Sequence, residues 1–153
     1  MKEACLFWVI PVFKTILVAL DGSQAGQKAL DRAVEMARVG DAKLHAAYIV
    51  ETGLFSSLPT DNTVEVMYNV LQKEGDAVLD KAKTDAAAHG VTLTTHVKFG
   101  HAGSEVIALA DKIKADLIIV GSHGKSQTDR LLIGSVSTFI VTHSSVSTMV
   151  VRS

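Results

Sequence analysis

Residues 117–124 read LIIVGSHG, and after nine intervening residues come Gly134 and Ser135. Leu117–Val120 is a short apolar, largely β-branched run without polar alternation, the pattern of a strand covered on both faces in a parallel sheet. Gly121-Ser122-His123-Gly124 follows at once. Glycines there let the backbone turn tightly and come close to a ligand. Gly134-Ser135 reads as a helix start, where free N–H groups and the helix dipole favour a phosphate. Ser135 and Ser137 add hydroxyls at the same place. Two such backbone segments on one loop suit a polyphosphate.

Working outward, four more strand-like runs appear: Thr15–Leu20, Leu44–Val50, Thr92–Phe99 and Thr148–Val151. Thr92–Phe99 alternates more than the others, which predicts a place nearer the sheet edge. Helical spacing fills the intervals. Ala29, Ala33, Val34 and Ala37 share a face after a cap-like Ser23, with Gly40 as the stop. Asn62 to His89 carries Val66, Val70, Val78 and Ala82 on its expected inner face and ends at Gly90; Met67, Tyr68 and Leu71 read as helix face or loop lid. Ser104 is the expected cap of a third helix with Val106, Ala110 and Ile113 inward, and Gly134-Ser135 opens a fourth with Val136, Phe139 and Ile140. Strands alternating with helices imply right-handed βαβ crossovers, hence an α/β fold with an open parallel sheet wound by helices on both faces. Such sheets bind ligands beyond the carboxyl ends of the strands, where strand order reverses. That places the expected site after Leu20, Val50, Phe99 and Val120. The main irregular loop is Thr52–Asp61.

Other phosphate motifs do not fit. A Walker A loop would need glycine at position 119, which is Ile119, and Lys125 would lie in mid-loop. The dinucleotide pattern GxGxxG is absent, and the first turn is Asp21-Gly22-Ser23. Ser23 has no G-x-S-x-G elbow around it and reads as a helix cap.

Composition bounds the remaining classes. The chain has 153 residues, 48% apolar and 20% charged, which suits one folded domain. Its net charge of −1 offers no bulk cationic field for nucleic acid or an anionic membrane, so neither partner is expected. A single cysteine, Cys5, excludes an internal disulfide and a multi-cysteine zinc site. The six histidines show no HExxH or HxxxH spacing. The longest apolar run, Ala4–Phe13, falls short of the roughly 20 residues that span a bilayer. Residues 1–13 read as an apolar extension packing on the domain or a partner chain, ahead of a domain at 14–153.

From Phe13 to Ser153 the chain resembles the universal stress proteins. Their ATP-binding members carry G-x2-G-x9-G followed by Ser or Thr, which Gly121, Gly124, Gly134 and Ser135 match in full. The first strand running into Asp21-Gly22-Ser23 and the second ending Ile49-Val50-Glu51 match as well. Ala102 departs from the pattern, since a proline is frequent there. The resemblance implies a Rossmann-like, adenine nucleotide alpha hydrolase-like sheet in the order 3-2-1-4-5, and cytoplasmic homodimers joined through the last strand, Ser147–Val151. It implies ATP or another adenine nucleotide, with Mg or Mn riding on the phosphates. Ala19, Leu20 and Asp21 would line the adenine and ribose, and Ile49 would offer its backbone to adenine. Val120 and Gly121 would flank the sugar and α-phosphate. His123, Gly124, Gly134, Ser135, Val136 and Ser137 would hold the phosphates.

Two function classes follow. One is a nucleotide-binding regulatory module of the stress response. The other is a slow ATPase or autophosphorylating enzyme, which needs a group to orient water and a cation for the leaving charge. His123, Lys125 and Arg130 are the candidates, although the two cations also suit a solvated loop. A third reading is a stress protein that binds no nucleotide. No acid–base pair in the loop singles out a catalytic residue, which favours binding.

Overall fold

The computed structural model describes residues 12–53, 57, 62–124 and 133–153. Nine elements alternate: β1 (Thr15–Leu20), α1 (Gln24–Gly40), β2 (Lys43–Glu51), α2 (Asn62–Ala88), β3 (Leu93–Gly100), α3 (Ala102–Ile113), β4 (Leu117–Gly121), α4 (Ser135–His143) and β5 (Ser147–Val151). All five strands are parallel, in the order β3-β2-β1-β4-β5. This is the anticipated order. β3 lies at an edge, as its alternation suggested.

Period-two geometry sends alternate side chains to opposite faces. Ile16, Val18 and Leu20 of β1 join Leu44, Ala46 and Tyr48 of β2 and Ile119 of β4 in a core beneath α1 and α2. Leu17, Ala47, Ile118 and Val120 face the other way, against Val106, Leu109 and Ala110 of α3 and Ile140 of α4. α1 presents Ala25, Ala29, Ala33 and Ala37 to the sheet, and this run of small residues lets the helix lie close. At the opposite ends of the strands, Asp116 accepts from the N–H groups of Lys14 at 2.8 Å and Thr15 at 2.9 Å, pinning the start of β1 beside β4.

Several local expectations are corrected. Val66 and Val70 are 58% and 59% exposed; the inner face of α2 is Val64, Gly75, Leu79, Ala82 and Ala86, with Tyr68 and Leu71 packed against the core. The apolar spacing of the first two turns pointed to the wrong face. α1 includes Gly40, and Asp41 takes the left-handed position at φ 51°. Aspartate tolerates that region through local hydrogen bonding. α3 is capped by His101, whose Nδ1 accepts from the Ser104 N–H, so Ser104 lies inside the helix. Of the apolar stretch 1–13 only Val12 and Phe13 are described, and Phe13 packs against the main core. Most of the loop 52–61 also lies outside the described residues.

Candidate functional site

A cleft of about 400 Å³ opens beyond the carboxyl ends of β1, β2 and β4. The sheet order reverses between β1 and β4, where crossovers diverge and leave a crevice. Ala19, Leu20, Asp21, Ile49, Val120, Gly121, His123, Gly124, Gly134, Ser135, Val136 and Ser137 all line it. Each residue that the resemblance assigns to the nucleotide is thus brought to one cavity. Lys125 and Arg130 lie outside the described residues.

The first wall is the turn after β1. Asp21 Oδ1 accepts from the Ser23 N–H at 2.9 Å, and Ser23 Oγ accepts from the Gly26 N–H at 3.0 Å, so the turn starts α1 as anticipated. Gly22 between them sits at φ 80°, a conformation that glycine adopts at low cost. Gly121 and Gly124 face this turn for different reasons. A Cβ on Gly121 would stand 2.8 Å from the Ala25 carbonyl carbon and 2.9 Å from its Cβ and oxygen. Close packing of β4 on α1 therefore requires that glycine before any ligand is considered. Among the described residues, a Cβ on Gly124 would meet Asp21 Oδ2 alone, at 2.8 Å.

The second wall is the start of α4. The Ser122 N–H donates to the Val151 carbonyl, and the Gly134 N–H donates to the Ser122 carbonyl, so the loop after β4 is tied to both β5 and α4. Ser137 Oγ donates to the Gly121 carbonyl at 3.1 Å and is buried. Its proton serves the loop, where the sequence had suggested a donor for the ligand. Gly134 caps α4 without any side-chain hydrogen bond. The first bond of the helix is Thr138 N–H to Gly134 carbonyl. Helix geometry therefore leaves the N–H groups of Ser135, Val136 and Ser137 without intrahelical acceptors, at the cleft. His123 is held at both ring nitrogens, by Ser122 Oγ at 3.1 Å and Ser153 Oγ at 3.4 Å.

The far end of the cleft, under β2 and α3, is apolar: Ala19, Ile49, Ala102 and Val106. Glu51 joins it there, and its Oε2 accepts from the Ala102 N–H at 3.0 Å. Ser23, Gly26, Glu51, Ala102 and Val106 are lining residues that the motif reading did not assign to the site. Glu51 ends the β2 pattern and so carried a signal; Ala102 and Val106 enter only through the crossover of α3.

Away from the cleft, His45 of β2 and His96 of β3 stack with ring centroids 5.2 Å apart and share a 2.9 Å hydrogen bond. Burial lowers both pKa values. Lys43 lowers that of His45 further, and His45, Lys98 and Lys112 lower that of His96.

Five parallel strands in this order, helices on both faces and a ligand-sized cleft at the reversal define an open, doubly wound, Rossmann-like α/β protein. The model of the universal stress protein family matches residues 13–152. A universal stress protein of Methanocaldococcus jannaschii is 33% identical over 141 residues, 92% of this chain and 83% of that protein. Another from Bacillus subtilis is 32% identical over 151 residues, covering 92% of this chain and all of that one. Among solved structures, the Lactobacillus plantarum universal stress protein UspA superposes with a TM-score of 0.84 at 24% identity, covering 91% and 97% of the two chains. A universal stress protein in complex with cAMP superposes at 0.67 with 28% identity, covering 92% and 97%. The chain belongs to the universal stress protein family.

Proposed function

We propose that this chain is an adenine-nucleotide-binding regulatory module of the stress response, acting in the cytoplasm as a homodimer. The observation that carries the reading is the convergence of the glycine loop, the uncapped start of α4 and an apolar end in one cavity of about 400 Å³. Small-ligand clefts run from about 300 to 1,000 Å³, so a nucleotide fits the size and the chemistry. The solved relative in complex with cAMP supports an adenine ligand.

In this reading the base lies against Ala19, Ile49, Ala102 and Val106, while the phosphates meet the N–H groups of Ser135, Val136 and Ser137. Each hydrogen bond to a charged group contributes roughly 1.5–3 kcal/mol, and the helix dipole adds about 0.3–1 kcal/mol. Gly124 keeps space beside Asp21 for the phosphate chain. Mg or Mn would neutralise part of the triphosphate charge. Phosphate oxygens would supply most of its ligands, because no group of three potential metal-ligating side chains exists among the described residues.

The proposal is one of binding. His123 is held at both ring nitrogens by Ser122 and Ser153, whereas hydrolysis needs a group free to orient water. Dimerisation is assigned to β5, which among the described residues pairs with β4 alone and has no strand on its outer edge. An unpaired edge is a template for another strand. Mass spectrometry of the purified protein, with light scattering for its mass in solution, tests both parts. An adenine nucleotide released on denaturation from a dimer is the expected result. A ligand-free protein that ATP does not protect from heat refutes the nucleotide reading, and a monomer refutes the dimer.

A further inference from the structure

We propose that Glu51 is a specificity-determining residue of the cleft, selecting a purine that carries an amino group at its 6-position over one that carries a carbonyl. The inference rests on the nucleotide reading above and deepens it.

The cleft is chemically divided. Donors and glycines of the β4–α4 loop occupy one end, and Ala19, Ile49, Ala102 and Val106 form the other. Glu51 is the one charged side chain lining that apolar end among the described residues. It lies two residues beyond Ile49 on β2, hence on the same face of the sheet. Its orientation is set by the protein: Oε2 accepts from the Ala102 N–H at the start of α3. A helix N-terminus is a favourable place for a carboxylate. One such bond uses part of the acceptor capacity, since an ionised carboxylate offers about four lone-pair sites and no donor. No second hydrogen bond is made by Glu51 among the described residues. The apolar end thus presents a fixed acceptor to a planar ring. An exocyclic amine satisfies it; a carbonyl oxygen at the same position sets two acceptors face to face. A site built to pair a polar group rejects the analogue that lacks it more strongly than an apolar pocket rejects an isostere.

Calorimetric titration of ATP, inosine triphosphate and 2′-deoxy-ATP into wild type and Glu51→Gln tests this. The amide keeps an acceptor for Ala102 N–H and turns a donor toward the ring. Wild type is expected to bind ATP at least about tenfold tighter than inosine triphosphate, the discrimination of one charged hydrogen bond. Glu51→Gln should erase or invert that ratio while melting within a few degrees of wild type. The ratio of ATP to 2′-deoxy-ATP should not change. An unchanged ATP-to-inosine ratio in the variant overturns the proposal, as does a shift confined to the deoxy comparison, which would place Glu51 on the ribose. Wild type that binds none of the three overturns the nucleotide reading itself.

Discussion

Replacing Gly121 by alanine separates a packing role from a ligand role. The added Cβ would lie 2.8–2.9 Å from three atoms of Ala25, two of them backbone. Carbon contacts are optimal near 3.5–4.0 Å, so β4 and the start of α1 must part by about 0.7 Å or more. Neither can do so locally. Ala25 is buried in the first turn of α1, and Gly121 pairs with Val151 on β5. Overpacking of this kind costs roughly 1–3 kcal/mol. For a domain of this size each kcal/mol lowers Tm by about 2–4 °C, giving an expected fall of roughly 2–12 °C. Gly124→Ala is the control, because among the described residues its Cβ meets a single side-chain oxygen, Asp21 Oδ2. Its effect on stability should stay within about 0.5 kcal/mol, as for surface changes that touch no buried feature. Urea midpoints by circular dichroism measure both. Equal midpoints for Gly121→Ala and wild type would show that the β4–α1 contact is not close-packed. A larger loss in Gly124→Ala than in Gly121→Ala would reverse the assignment of the two glycines.

Two further predictions concern positions away from the cleft. Asp116→Ala removes both acceptors that hold the start of β1 and should destabilise the domain by about 1–3 kcal/mol, read as a lower urea midpoint; Asp116→Asn should retain part of the loss-prone contact through its one carbonyl oxygen. His45 and His96 have pKa values held below the ordinary one of 6.5, first by burial and then by neighbouring charge (Lys43 at His45; His45, Lys98 and Lys112 at His96), so the unfolded chain takes up protons before the folded one. Stability should therefore be steady above about pH 6.5–7 and fall as pH drops through the ordinary histidine range toward the lowered folded values. A His45→Gln, His96→Gln variant should show a shallower fall between pH 7 and 5; a profile parallel to that of wild type contradicts the assignment.

The fold was legible because its signals are local. Runs such as TILVAL and LIIV mark central strands by lacking polar alternation, and strand–helix alternation leaves few topologies. The cleft was legible for a related reason. Gly121 and Gly124 at the end of β4, and the turn after β1, stand at strand ends, so chain order nearly gives spatial order. Sequence reading failed where long-range packing decides. Val66 and Val70 have helical spacing, yet α2 meets the sheet through Val64, Leu79, Ala82 and Ala86, and no local pattern distinguishes the two faces. His101 displaced Ser104 as the cap of α3 because an imidazole nitrogen can accept the same N–H. Gly121 was read as a ligand-approach glycine, and only the position of Ala25 reveals its packing role. The bonds of Asp116 to the start of β1 and of Glu51 to Ala102 join residues about a hundred and about fifty apart, and neither leaves a motif.

The central claim is that the glycine loop and the start of α4 hold the phosphates of an adenine nucleotide. Calorimetric titration of ATP with Mg into wild type and into a Gly124→Ala, Gly134→Ala double variant tests it most directly. Saturable binding to wild type, weakened at least about tenfold in the variant, is the predicted result, equivalent to about 1.4 kcal/mol. Equal affinity in the two proteins would contradict it.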